Sequence, residues 1–257
     1  MSLTLCFWLL QFHLARHKEL IDTLVEISNL HESPSHTLAV KLLAHLTRHR
    51  ANSKVFVFRL RNLVPALVEA TYSDDGECRK YACFGIQNLA QDKPCRQELA
   101  ITPDLLTALC IRARQATDPE ERLAAIHALK NLTDEPANLI PMTNTPECFA
   151  TLMQIAHASD ESVTEMMQYL GCDALATLSH WFRSIATSGQ RIDSLKRHQQ
   201  PSKDLFVPTL KILTYEQWQW VTFLSFITLC CVVHKTMHPL VANLAIYDNV
   251  TQSQIIF

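Results

Sequence analysis

Four segments of this chain carry one apolar pattern at an almost constant step, and that repetition limits the possible folds more than any single motif does. Ala39, Leu42, Leu43 and Leu46 recur 43 residues later as Ala82, Gly85, Ile86 and Leu89, and after another 43 as Ala125, Ala128, Leu129 and Leu132. A fourth copy, Gly171, Ala174, Leu175 and Leu178, follows after 46 residues. Within each copy the spacing is i, i+3, i+4, i+7, which is one face of an α-helix and not the alternation of a strand. Four equivalent helices are therefore predicted.

A second helix precedes each of these at the same distance. Leu20, Leu24 and Ile27 match Leu63, Leu67 and Ala70 at the 43-residue step, and Leu109 matches Leu152. Between the paired helices stand SPSH, SDDGE, TDPEE and SDES, rich in residues that cap helix N-termini. In the third of these, Asp118 is the expected N-cap, Pro119 the first helical residue and Glu121 the reciprocal member of a capping box. Capping accounts for the carboxylates at Asp74, Asp75, Glu120 and Glu121 without catalysis. A short leading helix fits each copy, at Leu9 to Ala15, Ala51 to Phe58, Pro94 to Ala100 and Pro136 to Met142. One such triplet cannot bury its apolar face alone, so neighbouring copies must stack. Small residues at Gly85, Ala128 and Ala174 let the stacked helices approach closely.

A period of about 40 to 47 residues with two or three helices falls in the armadillo and HEAT range. CRKYACFGIQNLAQD (Cys78 to Asp92) and ERLAAIHALKNLTDE (Glu121 to Glu135) resemble the third helix of armadillo repeats. Arg79 and Arg122 stand at that pattern's Arg place, and Asn88 and Asn131 at its Asn place. The resemblance spans about residues 9 to 188. It implies an all-α fold: a right-handed α-solenoid of about four armadillo-like repeats, with the third helices side by side along a concave surface and an atypical C-terminal helical extension.

The resemblance also implies a non-enzymatic scaffold or adaptor that binds a protein or extended peptide partner along that surface. Asn88 and Asn131 would pair with the partner's backbone, since an amide carries both donor and acceptor. Phe84 and His127 hold the place of the family's pocket-forming Trp. The outer copies depart from the pattern, with Lys41 and Asp173 at the Trp place and His45 and Thr177 at the Asn place. Lys80, Gln87, Gln91, Lys130 and Trp181 lie near the same stripe. Lys41, Arg48, Lys80 and Lys130 lean basic, which suits a partner of acidic or polar extended character.

Composition removes other classes. The four glycines, Gly76, Gly85, Gly171 and Gly189, form no phosphate-cradling loop, and neither G-x-S-x-G nor any other nucleophile signature is present. No enzymatic activity and no cofactor are expected. With 23 Lys and Arg against 25 Asp and Glu, the chain lacks the basic surplus that nucleic-acid binding requires. The nine cysteines form no C-x-x-C pair, and a chain of 257 residues is long enough to bury a core without disulfides, so reduced packed thiols in the cytoplasm or nucleus are expected. His13/His17, His45/His49 and His234/His238 are i, i+4 pairs without a third ligand nearby, and no metal site is expected from them.

The composition shifts at SGQRIDSLKRHQQPSKD (Ser188 to Asp204). Three parts follow: the repeat region 1–188, a polar linker 189–204 and an apolar extension 205–257. Within the extension, Trp218 to Val233 carries no charge but is short of the roughly 20 apolar residues that a membrane span needs. A helical cap on the solenoid is the first reading. The alternative is a membrane-tethered adaptor anchored by 218–233, with Trp218 and Trp220 at one edge and Lys235 at the other. The apolar stretch Leu3 to Leu10 lacks the basic residues that precede a secretory signal's core and reads as a helix of the first repeat.

Overall fold

The computed structural model describes residues 12–60, 62–158 and 162–187. The linker, the extension 205–257 with its apolar run 218–233, and the stretch Leu3 to Leu10 lie outside the described residues. Described residues up to Phe182 belong to one compact unit. They are helical, with no strand among them.

The helices are α1 (Lys18–Ser28), α2 (His36–Thr47), α3 (Arg50–Lys54), α4 (Leu63–Ala70), α5 (Gly76–Gln91), α6 (Arg96–Ala100), α7 (Leu105–Gln115), α8 (Pro119–Thr133), α9 (Leu139–Asn144), α10 (Pro146–His157) and α11 (Glu165–Thr187). The second helices expected from the sequence are α1, α4, α7 and α10, and the third helices are α2, α5, α8 and α11. The short leading helices α6 and α9 each enter through a 3₁₀ turn, Lys93–Cys95 and Pro136–Asn138. Each turn holds a proline near its start, where the missing N–H is not needed. α3 instead runs on into a π-helical turn, Val55–Arg59, which sets Phe56 fully into the core.

α5 is covered from two sides, by α2 and by α8, while α8 also packs on α7, α4 on α5, and α10 on α7. Ala82, Ile86 and Leu89 of α5 and Ala125, Leu129 and Leu132 of α8 are fully buried, each large aliphatic contributing about 1.5–3 kcal/mol. Close approach explains the small residues. A Cβ on Gly85 would stand 3.0 Å from a Leu67 methyl and 3.6 Å from the Ala44 Cα. A Cβ on Gly171 would meet the Ala156 backbone nitrogen at 3.2 Å and the Leu152 carbonyl oxygen at 3.3 Å. The first copy is less covered: Leu42 of α2 is 44% exposed, although the pattern places it on the apolar face.

Positions 43 residues apart make the same contact with different chemistry. His36 Nε2 lies 3.1 Å from Cys78 Sγ, and one step on, Arg79 Nε donates to Glu121 Oε1 at 3.4 Å. Thr37 donates to Asp75, and one step on, Lys80 Nζ meets Asp118 at 3.1 Å. Both acceptors are N-caps, Asp75 accepting from the Glu77 N–H at 2.9 Å and Asp118 from the Glu120 N–H at 2.8 Å. Each of these side chains therefore starts a helix and binds the preceding third helix at once.

The capping box expected at Glu121 does not form. Glu121 is fully buried between Arg79 and Arg112, whose Nη1 lies at 3.6 Å. Once dehydrated, a carboxylate is better stabilised by two guanidinium groups than by one backbone N–H. Buried amides close other helix ends: Asn52 Nδ2 donates to the Leu46 carbonyl and Asn138 Nδ2 to the Leu132 carbonyl, each at 3.0 Å. The position midway between them holds Cys95.

Two stability outcomes are expected. Glu121→Ala leaves Arg79 and Arg112 without their shared anion and costs about 3 kcal/mol, read as a lower urea midpoint; a midpoint equal to the parent's contradicts the buried ion pair. Gly171→Ala lowers the melting temperature even though alanine is the better helix former by about 1 kcal/mol, because its Cβ faces backbone. Gly85→Ala loses less in the same scan, because its tightest neighbours are the methyls of one leucine side chain, Leu67, which can rotate aside.

Candidate partner-binding face

Because α5 packs on α8, the stripe Lys80, Phe84, Asn88 on the first helix runs beside His127 and Asn131 on the second, with Lys130 adjoining. The i, i+4 spacing on each helix aligns these side chains on one face. All six are half-buried. The structure thus brings together the residues that the repeat pattern singles out, and what distinguishes them is how each is already engaged.

The cations are neutralised locally. Lys80 Nζ lies 3.1 Å from Asp118 and 3.2 Å from Glu120. Lys130 Nζ lies 3.1 Å from Asp134 and 3.2 Å from Asp173. Lys41 Nζ is 3.0 Å from Glu77 and 4.7 Å from the centre of the Tyr81 ring. Hydrogen bonds to Asp118 and Glu120 push the Lys80 ammonium above its ordinary range, as the one to Glu77 does for Lys41. At Lys130 burial opposes the charge, and Asp134 and Asp173 outweigh it. Pairs this exposed add little to stability, but they change the character of the face: the basic lean of Lys41, Lys80 and Lys130 is cancelled by neighbouring carboxylates.

Aromatic groups fill much of the remaining surface. The His45 and Tyr81 rings lie 5.8 Å apart, and Tyr81 meets Phe84 edge to face at 6.1 Å, within the range of favourable aromatic pairing. Tyr81 was not among the residues the pattern singled out; its signal is the i, i+3 relation to Phe84. Further along, the Trp181 indole N–H donates to the Thr133 carbonyl at 3.1 Å. Gln87 is half-buried, and Gln91 and Arg48 are exposed.

The two asparagines differ. Asn88 Nδ2 donates to Thr47 Oγ1 at 3.1 Å and to the Ala44 carbonyl at 3.4 Å, so its donors are turned toward α2. The residue standing to Asn131 as Thr47 stands to Asn88 is Ala90, which offers no hydroxyl. Asn131 makes no side-chain hydrogen bond among the described residues. One turn before it, burial and then the nearby Lys130 hold the His127 imidazole below its ordinary 6.5, leaving it neutral at pH 7. Asn131 and His127 together therefore offer uncharged donors and acceptors on the helix that packs against the one carrying Phe84.

No group of three or more His, Cys, Asp or Glu among the described residues is placed to hold a metal ion. The His45/His49 pair is divided between two tasks. His49 Nδ1 accepts the Ala51 N–H at 3.2 Å as a helix cap, while His45 faces Tyr81. No helix among the described residues is long and apolar enough to cross a membrane.

Acid should weaken the fold through these imidazoles. Burial lowers both His127 and His45 below 6.5, so the unfolded chain takes up protons first as pH falls. Their contribution is complete above pH 6.5 and is lost as pH drops through the lower folded values. The urea midpoint of the parent should fall between pH 7.5 and pH 5, and that of His127→Gln should fall less. Equal losses would exclude His127 as a source.

No protein-family profile and no curated protein sequence matches this chain. Among solved structures it is similar to an engineered protein determined by the Northeast Structural Genomics Consortium, with a TM-score of 0.51 and 18% identity over 82% of this chain and 79% of the other. At that identity the likeness is one of backbone fold alone.

Proposed function

We propose that this chain is a non-enzymatic armadillo-like solenoid of about four repeats, a scaffold or adaptor of the cytoplasm or nucleus that binds an extended polypeptide along its third helices. The observation that carries this reading is the amide of Asn131. It sits half-buried on the shared face of α5 and α8 without a hydrogen-bond partner among the described residues, in a place where the preceding repeat turns its own amide inward. An amide so placed pairs with both the N–H and the C=O of an extended backbone. His127 stands one turn before it on α8 and Phe84 lies on the adjoining α5, and the paired state of Lys80 and Lys130 favours a partner that is not acidic at those positions. The repetition of cross-repeat contacts at 42 residues, from His36 to Cys78 and from Arg79 to Glu121, supports the stacked-repeat architecture.

The reading separates the two asparagines. Selection of peptides from a random display library on the full-length protein supplies ligands whose affinity can be compared between variants. Asn131→Ala should weaken binding about tenfold, the equivalent of one buried hydrogen bond, with the melting temperature unchanged. Asn88→Ala should lower the melting temperature, through loss of its bonds to Thr47 and Ala44, and leave affinity within a factor of about two. Affinity indifferent to Asn131→Ala would remove the face from consideration.

A further inference from the structure

The second helices α7 and α10 carry a pair of thiols that partner binding does not use. Cys110 and Cys148 lie with their sulfurs 3.5 Å apart, both fully buried. One repeat earlier the corresponding positions are Leu67 and Leu105, also fully buried. The α4 and α7 pairing is thus closed by aliphatic groups at the place where α7 and α10 have two sulfurs, so filling the volume does not by itself require cysteine.

The surroundings distinguish the two sulfurs. The hydrogen bond with Cys148 favours ionisation of Cys110; burial opposes it, and the Thr151 hydroxyl and the Arg114 guanidinium assist. The same contact pushes the Cys148 thiol up, so that it keeps its proton. Arg114 is itself held by an ion pair with Glu147, whose carboxylate opposes ionisation of both thiols. By contrast burial pushes Cys95 up to about 12, and Asp92 beside it acts in the same direction. A disulfide has a sulfur separation of about 2.05 Å, so closure requires the two sulfurs to approach by roughly 1.5 Å.

We propose that Cys110 and Cys148 form a two-electron oxidation site, closed by a small hydroperoxide such as hydrogen peroxide into a disulfide that ties α7 to α10. In the first step the Cys110 thiolate attacks one peroxide oxygen and the O–O bond breaks. Hydroxide leaves, is protonated to water, and Cys110 becomes a sulfenic acid. Cys148 then attacks the Cys110 sulfur and expels the second hydroxide, which takes the Cys148 proton and leaves as water. Two thiols are oxidised, one peroxide is reduced to two waters, and no other reactant is needed. Hydrogen peroxide is close to water in size and reaches the buried pair during transient local opening of the helices.

The test uses the full-length protein under native conditions. It is exposed to hydrogen peroxide, remaining thiols are blocked with an alkylating reagent, and peptides are mapped by mass spectrometry without reduction. The expected result is a Cys110–Cys148 cross-linked peptide as the major disulfide, lost on dithiothreitol treatment. The melting temperature of the oxidised protein should exceed that of the reduced protein by roughly 5 °C. Because the unmutated chain is used, failure to fold cannot mimic a negative result. Recovery of Cys110 and Cys148 as alkylated thiols while other cysteines are oxidised would overturn the proposal, as would Cys110 linked chiefly to any other cysteine.

Discussion

α5 and α8 must be covered from both sides, and the described part of the molecule is organised by that requirement. Each presents small and branched side chains on adjoining faces, with Ala82, Ile86 and Leu89 on one and Ala125, Leu129 and Leu132 on the other, all fully buried. A helix of this length is marginal in water by itself. Its stability comes from neighbours, and the neighbours of α5 are helices whose sequences lie about 43 residues away on either side. At Gly85 and Gly171 the second helix of the same repeat comes so close that even one added carbon meets it, at Leu67 of α4 and at Leu152, Ile155 and Ala156 of α10.

Such tight packing makes the pairing of buried polar groups depend on the neighbouring helices. The series His36 with Cys78, then Arg79 with Glu121, shows one geometry filled first by an imidazole and a thiol and then by an ion pair. The ionic version is the more demanding, since a fully buried carboxylate needs more than one cation nearby to offset lost hydration. Arg112 supplies the second from α7. The repeat thus preserves where groups meet and leaves free what they are.

Helix positions were readable from the sequence because they depend on local spacing: the i, i+3, i+4, i+7 pattern finds α2, α5, α8 and α11, and Pro94 and Pro136 mark the entries to α6 and α9. The shared face of Phe84, Asn88, His127 and Asn131 follows from the same register. What each residue does there was not readable. Glu121 has the spacing of a capping residue, yet its partners Arg79 and Arg112 come from other helices. Asn88 and Asn131 hold the same place in the repeat pattern, and only Asn88 has a hydroxyl, that of Thr47, at the position where Asn131 has Ala90. Lys80 and Lys130 read as free charge until Asp118, Glu120 and Asp173 arrive from neighbouring turns and helices. Local pattern sets the frame; contacts across about 40 residues decide the chemistry within it.

The buried amides at the helix ends carry one more implication. α2 and α8 finish on carbonyls held by Asn52 and Asn138, short rigid side chains sealed from water. α5 has Cys95 at that place, and its late carbonyl at Ala90 is held instead by the long, partly exposed Arg96, at 2.9 Å. Helix ends closed by unequal latches do not open equally easily. The backbone amides at the end of α5, where the latch is longer and reaches solvent, should exchange with solvent faster than those at the ends of α2 and α8.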